Sequence, residues 1–337
     1  MSKTYLQLHT ACVAVKGHQR STICDLARGE LAMIPNDLYD IIDEARQYSV
    51  EEIRAAYGPE SKPVLDEYFQ YLIDQEYAFY TRQRQKFEPL PQQFDLPWAI
   101  SNAIIDIGHD SRHDYKAIFS QLDELGCKFI QLRSYQSLSL EALQQVLDQL
   151  KGYRFRSVEL IAAYHPDLQE QHWAELYNTN DLLVRVTVHS APTTKEVGEG
   201  GRLVLTEQVI DSCQACGFID QHTFSINVPT YTEGLQYNTC LNRKLSIDQQ
   251  GYIKNCPSMS QHHGHVQEVK LAEVVAKKEF TKYWHINKDQ IKVCQDCEFR
   301  RVCTDCRVYL ADSTDLNSKP ARCGYDPYTA TWQQGQQ

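Results

Sequence analysis

Seven cysteines gather in the C-terminal third of this chain. Ten residues separate Cys240 from Gly251, and four separate Gly251 from Cys256. A tight array follows, Cys294-Gln-Asp-Cys297-Glu-Phe-Arg-Arg-Val-Cys303-Thr-Asp-Cys306, and Cys323 closes the set. Thiolates are ligands of choice for zinc and for iron–sulfur clusters, and each such centre takes four. Seven thiolates therefore fill two centres with one position short. A single Cys-x2-Cys is a weak signal. Two in register, with a distal pair upstream and one cysteine downstream, are a strong one.

The compartment decides whether these thiols stay reduced. The opening residues, Met-Ser-Lys-Thr-Tyr-Leu-Gln-Leu-His, lack the long apolar stretch of a secretory signal. A cytoplasmic location is expected, where closely spaced cysteines serve metals more often than disulfides. The spacing does not choose between zinc and iron–sulfur, since both take thiolates. The net charge of −10 excludes a general nucleic-acid binder. No apolar run approaches membrane-spanning length, so no membrane partner is expected. No Walker loop, dinucleotide glycine fingerprint or nucleophile elbow is present, so ATP would be handled by a partner.

At 337 residues the chain is too long for one ordinary core. The elements read as an α/β and α+β multidomain protein. Residues 1–82 form a small α+β module. It has strands at Thr4–His9, Ser21–Leu26 and Glu30–Ile34, then three helices. The first helix opens at Pro35 with Leu38, Ile41, Ile42 and Ala45 on one face. The second starts at a Ser49/Glu52 capping box, and the third carries Leu65, Tyr68, Phe69, Leu72 and Ile73. Residues 83–98 are a linker with Pro89, Pro91 and Pro97. Residues 99–230 alternate strand and helix, which implies a parallel sheet with crossover helices. They are too few for a full eight-fold barrel, so a degenerate partial (β/α) barrel is expected. Within it Thr206–Cys216 reads as a helix and Phe224–Val228 as a strand. Residues 231–337 show little periodicity and would be ordered by metal.

The cysteine array resembles the SPASM domain, which ends many peptide-modifying radical S-adenosylmethionine enzymes. That pattern is a cysteine, a stretch, Gly-x4-Cys, a gap, Cys-x2-Cys-x5-Cys-x3-Cys, a gap and a last cysteine. Here two residues, not three, separate Cys303 from Cys306. The resemblance implies two 4Fe–4S clusters, with zinc as the alternative. One would use Cys294, Cys297, Cys303 and Cys323. The other would use Cys240, Cys256 and Cys306, with a fourth ligand from substrate, Cys213, Cys216 or a histidine.

Longer stretches resemble the SPASM-domain peptide maturase of grasp-with-spasm systems. They are Cys240-Leu-Asn-Arg-Lys-Leu-Ser-Ile-Asp, Gly251-Tyr-Ile-Lys-Asn-Cys256-Pro-Ser-Met259 and Lys319-Pro-Ala-Arg-Cys323-Gly-Tyr-Asp-Pro-Tyr328, with Arg20-Ser-Thr-Ile-Cys-Asp25 and Ile34-Pro-Asn-Asp-Leu38 near the N-terminus. The resemblance covers nearly the whole chain. It implies a ribosomally made precursor peptide and an ATP-grasp ligase as partners. The N-terminal module is similar to the winged-helix-like leader-binding elements of peptide-modification enzymes.

One departure matters more than the matches. Active radical enzymes of that superfamily carry Cys-x3-Cys-x2-Cys after the first barrel strand. Here the loop reads Gly108-His-Asp-Ser-Arg-His-Asp114 and has no cysteine. Cys12, Cys24 and Cys127 are isolated and offer no substitute. Radical chemistry by this chain alone and S-adenosylmethionine binding are not expected. His109 and His113, beside Asp110 and Asp114, read as loop and cap residues, with a different metal as the alternative.

Three further features carry two readings each. Cys213-Gln-Ala-Cys216 would put both thiols on one helix face, as ligands or as small buried residues. Gln261-His-His-Gly-His265 is a polar loop or a ligand cluster. Lys16, His18 and Arg20 form a basic edge suited to an acidic leader, or an ordinary solvated hairpin. The expected role is an accessory peptide maturase that binds a precursor and presents it to the ligase. The alternatives are a non-radical metal-dependent peptide-modifying enzyme and a structural zinc-binding adaptor.

Overall fold

The structure is a computed structural model that describes residues 3–333. Met1 and Ser2, with which the reading of the N-terminus begins, lie outside the described residues. The chain divides into two compact units. The first joins residues up to Phe94 with Phe218–Thr239 and the chain from Ile286 onward. The second is Asp95–Gly217 with Cys240–His285. Among the described residues no helix is long and apolar enough to cross a membrane.

The first unit begins with β1 (Tyr5–Leu8), β2 (Cys12–Val15), β3 (Ser21–Asp25) and β4 (Glu30–Ile34). Then come α1 (Asn36–Glu44), α2 (Val50–Tyr57), α3 (Lys62–Asp74) and β5 (Ala78–Thr81). The capping box forms as expected: Ser49 Oγ accepts from the Glu52 N–H, and Glu52 Oε2 accepts from the Ser49 N–H. The helix stripes meet β3 in one apolar core holding Ile23, Leu38, Ile41, Ile53, Leu65, Phe69 and Leu72. The sheet differs from the expected three strands. β2, β3 and β4 form one antiparallel sheet, while β1 pairs antiparallel with β5, a strand not foreseen. Short apolar runs such as Cys12–Val15 carry too few periods to stand out in sequence.

In the second unit strands and helices alternate. They are β6 (Asn102–Ile107), α4 (Tyr115–Glu124), β7 (Phe129–Ser134), α5 (Leu140–Asp148), β8 (Ser157–Ala163), α6 (Glu170–Asn178) and β9 (Leu183–His189). Next come β10 (Lys195–Val197) and β11 (Leu203–Leu205), and later β12 (Lys244–Ile247) and β13 (Ile253–Lys254). Together they form a mostly parallel eight-stranded sheet in the order β10-β11-β9-β8-β7-β6-β12-β13, with an antiparallel pairing at each edge. β12 lies parallel to β6, so the cysteine-bearing stretch supplies strands that its weak periodicity hid.

Two expectations are corrected. Thr206–Cys216 is not a helix. Thr206 donates its N–H to Val188 O, and its carbonyl accepts from Ala191; Gln208 O accepts from Ser190. The strand's backbone groups demand partners, and β-branched Thr206, Val209 and Ile210 resist the helix. Phe224–Val228 is not a strand. Ser225 N–H goes to Val302 O, and Asn227 Oδ1 accepts from Thr230 N–H, capping α7 (Val228–Gln236).

Candidate metal centre

The array starts with a tight turn. Val293 adopts a left-handed φ of 68°, and the Cys297 N–H closes onto Cys294 O at 3.1 Å. A second turn returns the Cys303 N–H to Phe299 O at 3.0 Å. The Phe299 N–H donates to Cys297 Sγ at 3.4 Å, the kind of bond that supports a thiolate. Cys323 is brought back by a bridge in which the Ile219 N–H donates to Arg322 O. Cys294, Cys303 and Cys306 are buried, and Cys297 and Cys323 are partly so. No disulfide links any of them.

Four of these thiols feel one another. Burial pushes Cys303 up to about 12, and Cys323 and Cys294 add to the shift. Burial also lifts Cys297 well above its ordinary value, with Cys303 and Cys294 contributing. Cys294 is raised by burial and, further down, by Asp305 and Cys323. These four cysteines thus lie in one unit, near enough for their charges to interact. Burial makes Cys294, Cys297 and Cys303 hold their protons more tightly than ordinary thiols, and a metal must displace those protons.

A buried cation waits beside them. Lys288 is 5 % exposed. Burial lowers its ammonium pKa, but Cys303, Asp305, Cys294 and Cys297 outweigh that and hold it up. Asp305 Oδ1 lies 3.8 Å from Lys288 Nζ and accepts from Arg307 Nη2 at 2.7 Å; Asp305 Oδ2 accepts from Asn238 Nδ2 at 2.6 Å. The excess positive charge would offset thiolates that ionise on metal binding.

The same unit ties the N-terminal sheet to this array. Thr22 Oγ1 donates to Glu298 O at 3.0 Å, and the His18 N–H to Asp296 O at 2.8 Å. Arg20 Nε donates to Glu298 Oε1 at 2.8 Å, and Tyr325 OH donates to that same oxygen. Gly17 has no room for a side chain, since an added Cβ would stand 2.8 Å from the Cβ of Glu298. The basic edge is therefore spent: Arg20 is bound inward and Lys16 pairs with Asp40 at 2.6 Å.

In the second unit Cys240 and Cys256 stand around Lys244. Lys244 Nζ donates to Cys240 Sγ at 3.6 Å. Burial lowers its ammonium pKa, but Cys240, Cys256 and Cys216 outweigh it. Burial pushes Cys256 up to about 12, with Cys240 adding to the shift. The Gly251 of the Gly-x4-Cys spacing takes φ +91°, turning β12 into β13, and any Cβ there would strike His265 Nε2 at 2.4 Å. Cys306 lies in the first unit, buried between Asp305 and Arg307.

Among the described residues no three His, Cys, Asp or Glu side chains converge as a ready cage for an ion. The donor set still fits a thiophilic centre in kind: buried sulfurs, a backbone N–H on sulfur, and a buried cation opposite. Closing the sulfurs onto a metal would be part of binding.

The other candidates resolve as structure. Asp114 Oδ1 caps α4 by accepting from the Ala117 N–H, and His113 Nε2 meets Asp106 O at 3.0 Å. The histidines of the 261–265 loop go separate ways: His262 packs on Tyr252, His263 on Phe280, and His265 Nε2 meets Gln250 O at 2.7 Å. Sequence reasoning missed Lys244 and Lys288, though both sit within a few residues of a cysteine. It also missed a buried network at the carboxyl end of β6 and β7. There Arg133 Nε and Nη2 donate to Asp106 at 2.8 and 3.1 Å, and Tyr135 OH donates to Asp106 at 3.0 Å.

No family model and no curated protein matches the chain. Four chains of solved structures do. One is the crystal structure of Streptococcus suis SuiB, 10 % identical, covering 93 % of this chain and 98 % of that one at a TM-score of 0.34. A likeness of that degree carries no argument about fold or function.

Proposed function

We propose that this chain is a cluster-bearing accessory protein, or peptide maturase, in the biosynthesis of a ribosomally made, modified peptide. It binds the precursor and presents it to an ATP-grasp ligase. The carrying observation is that Cys294 and Cys303, both buried, and Cys297 and Cys323, partly buried, share one compact unit with the N-terminal sheets. The proposed cofactors are two 4Fe–4S clusters. One is held by those four sulfurs. The other takes Cys240 and Cys256. In either place the cluster supplies a rigid cross-link among distant segments.

The leader would enter as an added strand. β1 pairs only with β5, and β2 only with β3. Both line a cavity of about 820 Å³ with apolar Leu6, Leu8 and Ile42, and with Arg46 and Arg84 for acidic side chains. Binding there raises the precursor's effective concentration at the ligase. Calorimetry of the full chain against the leader half of its precursor should show binding. The Arg46→Glu, Arg84→Glu double variant should weaken it at least about tenfold, or ~1.4 kcal/mol. A leader that fails to bind, or binds the double variant equally, contradicts the reading.

A further inference from the structure

We infer that Cys213, Cys216, Cys240 and Cys256 form a closed four-thiolate site for a thiophilic metal centre, built wholly within the second unit. This goes beyond the peptide reading and does not depend on it.

Three sets of bonds hold the loops that carry the four cysteines beside one another, and metal binding would close the sulfurs. Asn255 Nδ2 donates to Leu241 O at 3.0 Å and Lys244 O at 2.6 Å. That ties the residue before Cys256 to the residue after Cys240. Ser258 Oγ donates to Cys213 O at 2.6 Å, which ties the residue two past Cys256 to the Cys213 turn. The Ala215 N–H closes onto Ser212 O at 3.2 Å, and Gly217 follows Cys216 at φ +88°. This is a reversing Cys-x2-Cys turn rather than the helix expected from sequence. It can aim both sulfurs the same way, as metal-binding turns of this spacing do.

The surroundings agree. Lys244 is oriented by Cys240 at 3.6 Å and also feels Cys256 and Cys216. Cys256 feels Cys216 as well as Cys240, and the Ser258 N–H favours its thiolate. Arg133 and Tyr135, at the carboxyl edge of the parallel sheet, feel Cys216 and Cys213. Ligand sites of parallel sheets are found at that edge. Thiols are the donors here, so the centre is zinc or iron–sulfur, not a hard cation. On binding zinc or cobalt(II), each sulfur gives its proton to solvent and takes a bond to the metal with no change of oxidation state; a cubane built from ferrous iron and sulfide also gives up two electrons, to an added mild oxidant. The four come from one unit, so Cys306 is not needed to complete the set.

The test uses the full chain, stripped of metal without oxygen and titrated with cobalt(II), whose visible bands report tetrahedral thiolate sites. Unsubstituted protein should take up about two equivalents, one per four-thiolate site. The Cys213→Ser, Cys216→Ser double variant should lose one equivalent and its bands, while Cys306→Ser keeps both. The reverse pattern, or two equivalents in every variant, overturns the inference. A second measurement is independent of whether variants fold. Cys216 is exposed, so its alkylation in unsubstituted protein should slow at least about tenfold once cobalt(II) is bound. An unchanged rate overturns the inference as well. Reconstitution with ferrous iron and sulfide, against zinc alone, identifies which centre the site holds. These readouts involve no peptide, so their failure is separate from failure of leader binding.

Discussion

Cys303→Ser is expected to strip one complete metal centre from the protein. Cys303 is buried, and it interacts electrostatically with Cys294 and Cys323 while raising Cys297. A serine oxygen replaces a sulfur badly at a soft metal, and three ligands close a structural site poorly. The cost does not stop at the metal. Lys288 stays buried, with Asp305 at 3.8 Å as its formal counter-charge. The N-terminal sheet hangs on the same array through Thr22 and Arg20 at Glu298. Metal content should fall by one centre, and the first unit should unfold at lower denaturant, because metal-binding energy is folding energy. Cys127→Ser serves as the control, since that thiol is buried in the second unit and bonds to Ser101 O and Phe129 O. Full metal content in Cys303→Ser would contradict the ligand assignment.

The second large effect lies in the scaffold. Asp106 and Arg133 are 2 % and 6 % exposed and form a two-bond pair at the carboxyl edge of the sheet. Asp106→Ala leaves the guanidinium buried without its carboxylate and should cost about 3–5 kcal/mol in urea unfolding. Adding Arg133→Met to that variant should recover most of the loss, because no charge is then buried alone. In the double variant Tyr135 loses both its hydroxyl's partner and the guanidinium over its ring. A single-variant loss below about 1 kcal/mol would mean that solvent reaches the pair and that it behaves as a surface bridge. Catalytic crevices of parallel sheets open at this edge. Here a closed ion pair occupies part of it.

How much of this was legible follows from the range of each signal. Helices with repeated stripes read well: α1, α3 and α4 match the positions of Leu38, Leu65 and Ile118 in their cores. So do the strands β6 to β9, each an apolar run before or after a helix. What failed was short or non-local. β5 and β2 are four residues each and exist because a distant strand offers hydrogen bonds. Thr206–Cys216 has apolar residues at helical spacing, yet its backbone is claimed by the neighbouring strand. The cysteine spacing pointed to thiolate metal centres, and the resemblance, not the spacing, assigned Cys294, Cys297, Cys303 and Cys323 to one of them. The fourth ligand of the set expected at Cys240, Cys256 and Cys306 was left open in sequence, since nothing local says which loop folds back on them. Asp106 and Arg133 are 27 residues apart and carry no motif, so only the register of β6 against β7 reveals the pair.

The most direct measurement is the iron, zinc and acid-labile sulfide content of the full chain purified without oxygen. The account predicts about eight irons and about eight sulfides per chain, the content of two cubane clusters. Zinc without sulfide would contradict the iron–sulfur assignment and leave a structural adaptor. A chain folded with no metal at all would contradict the central claim.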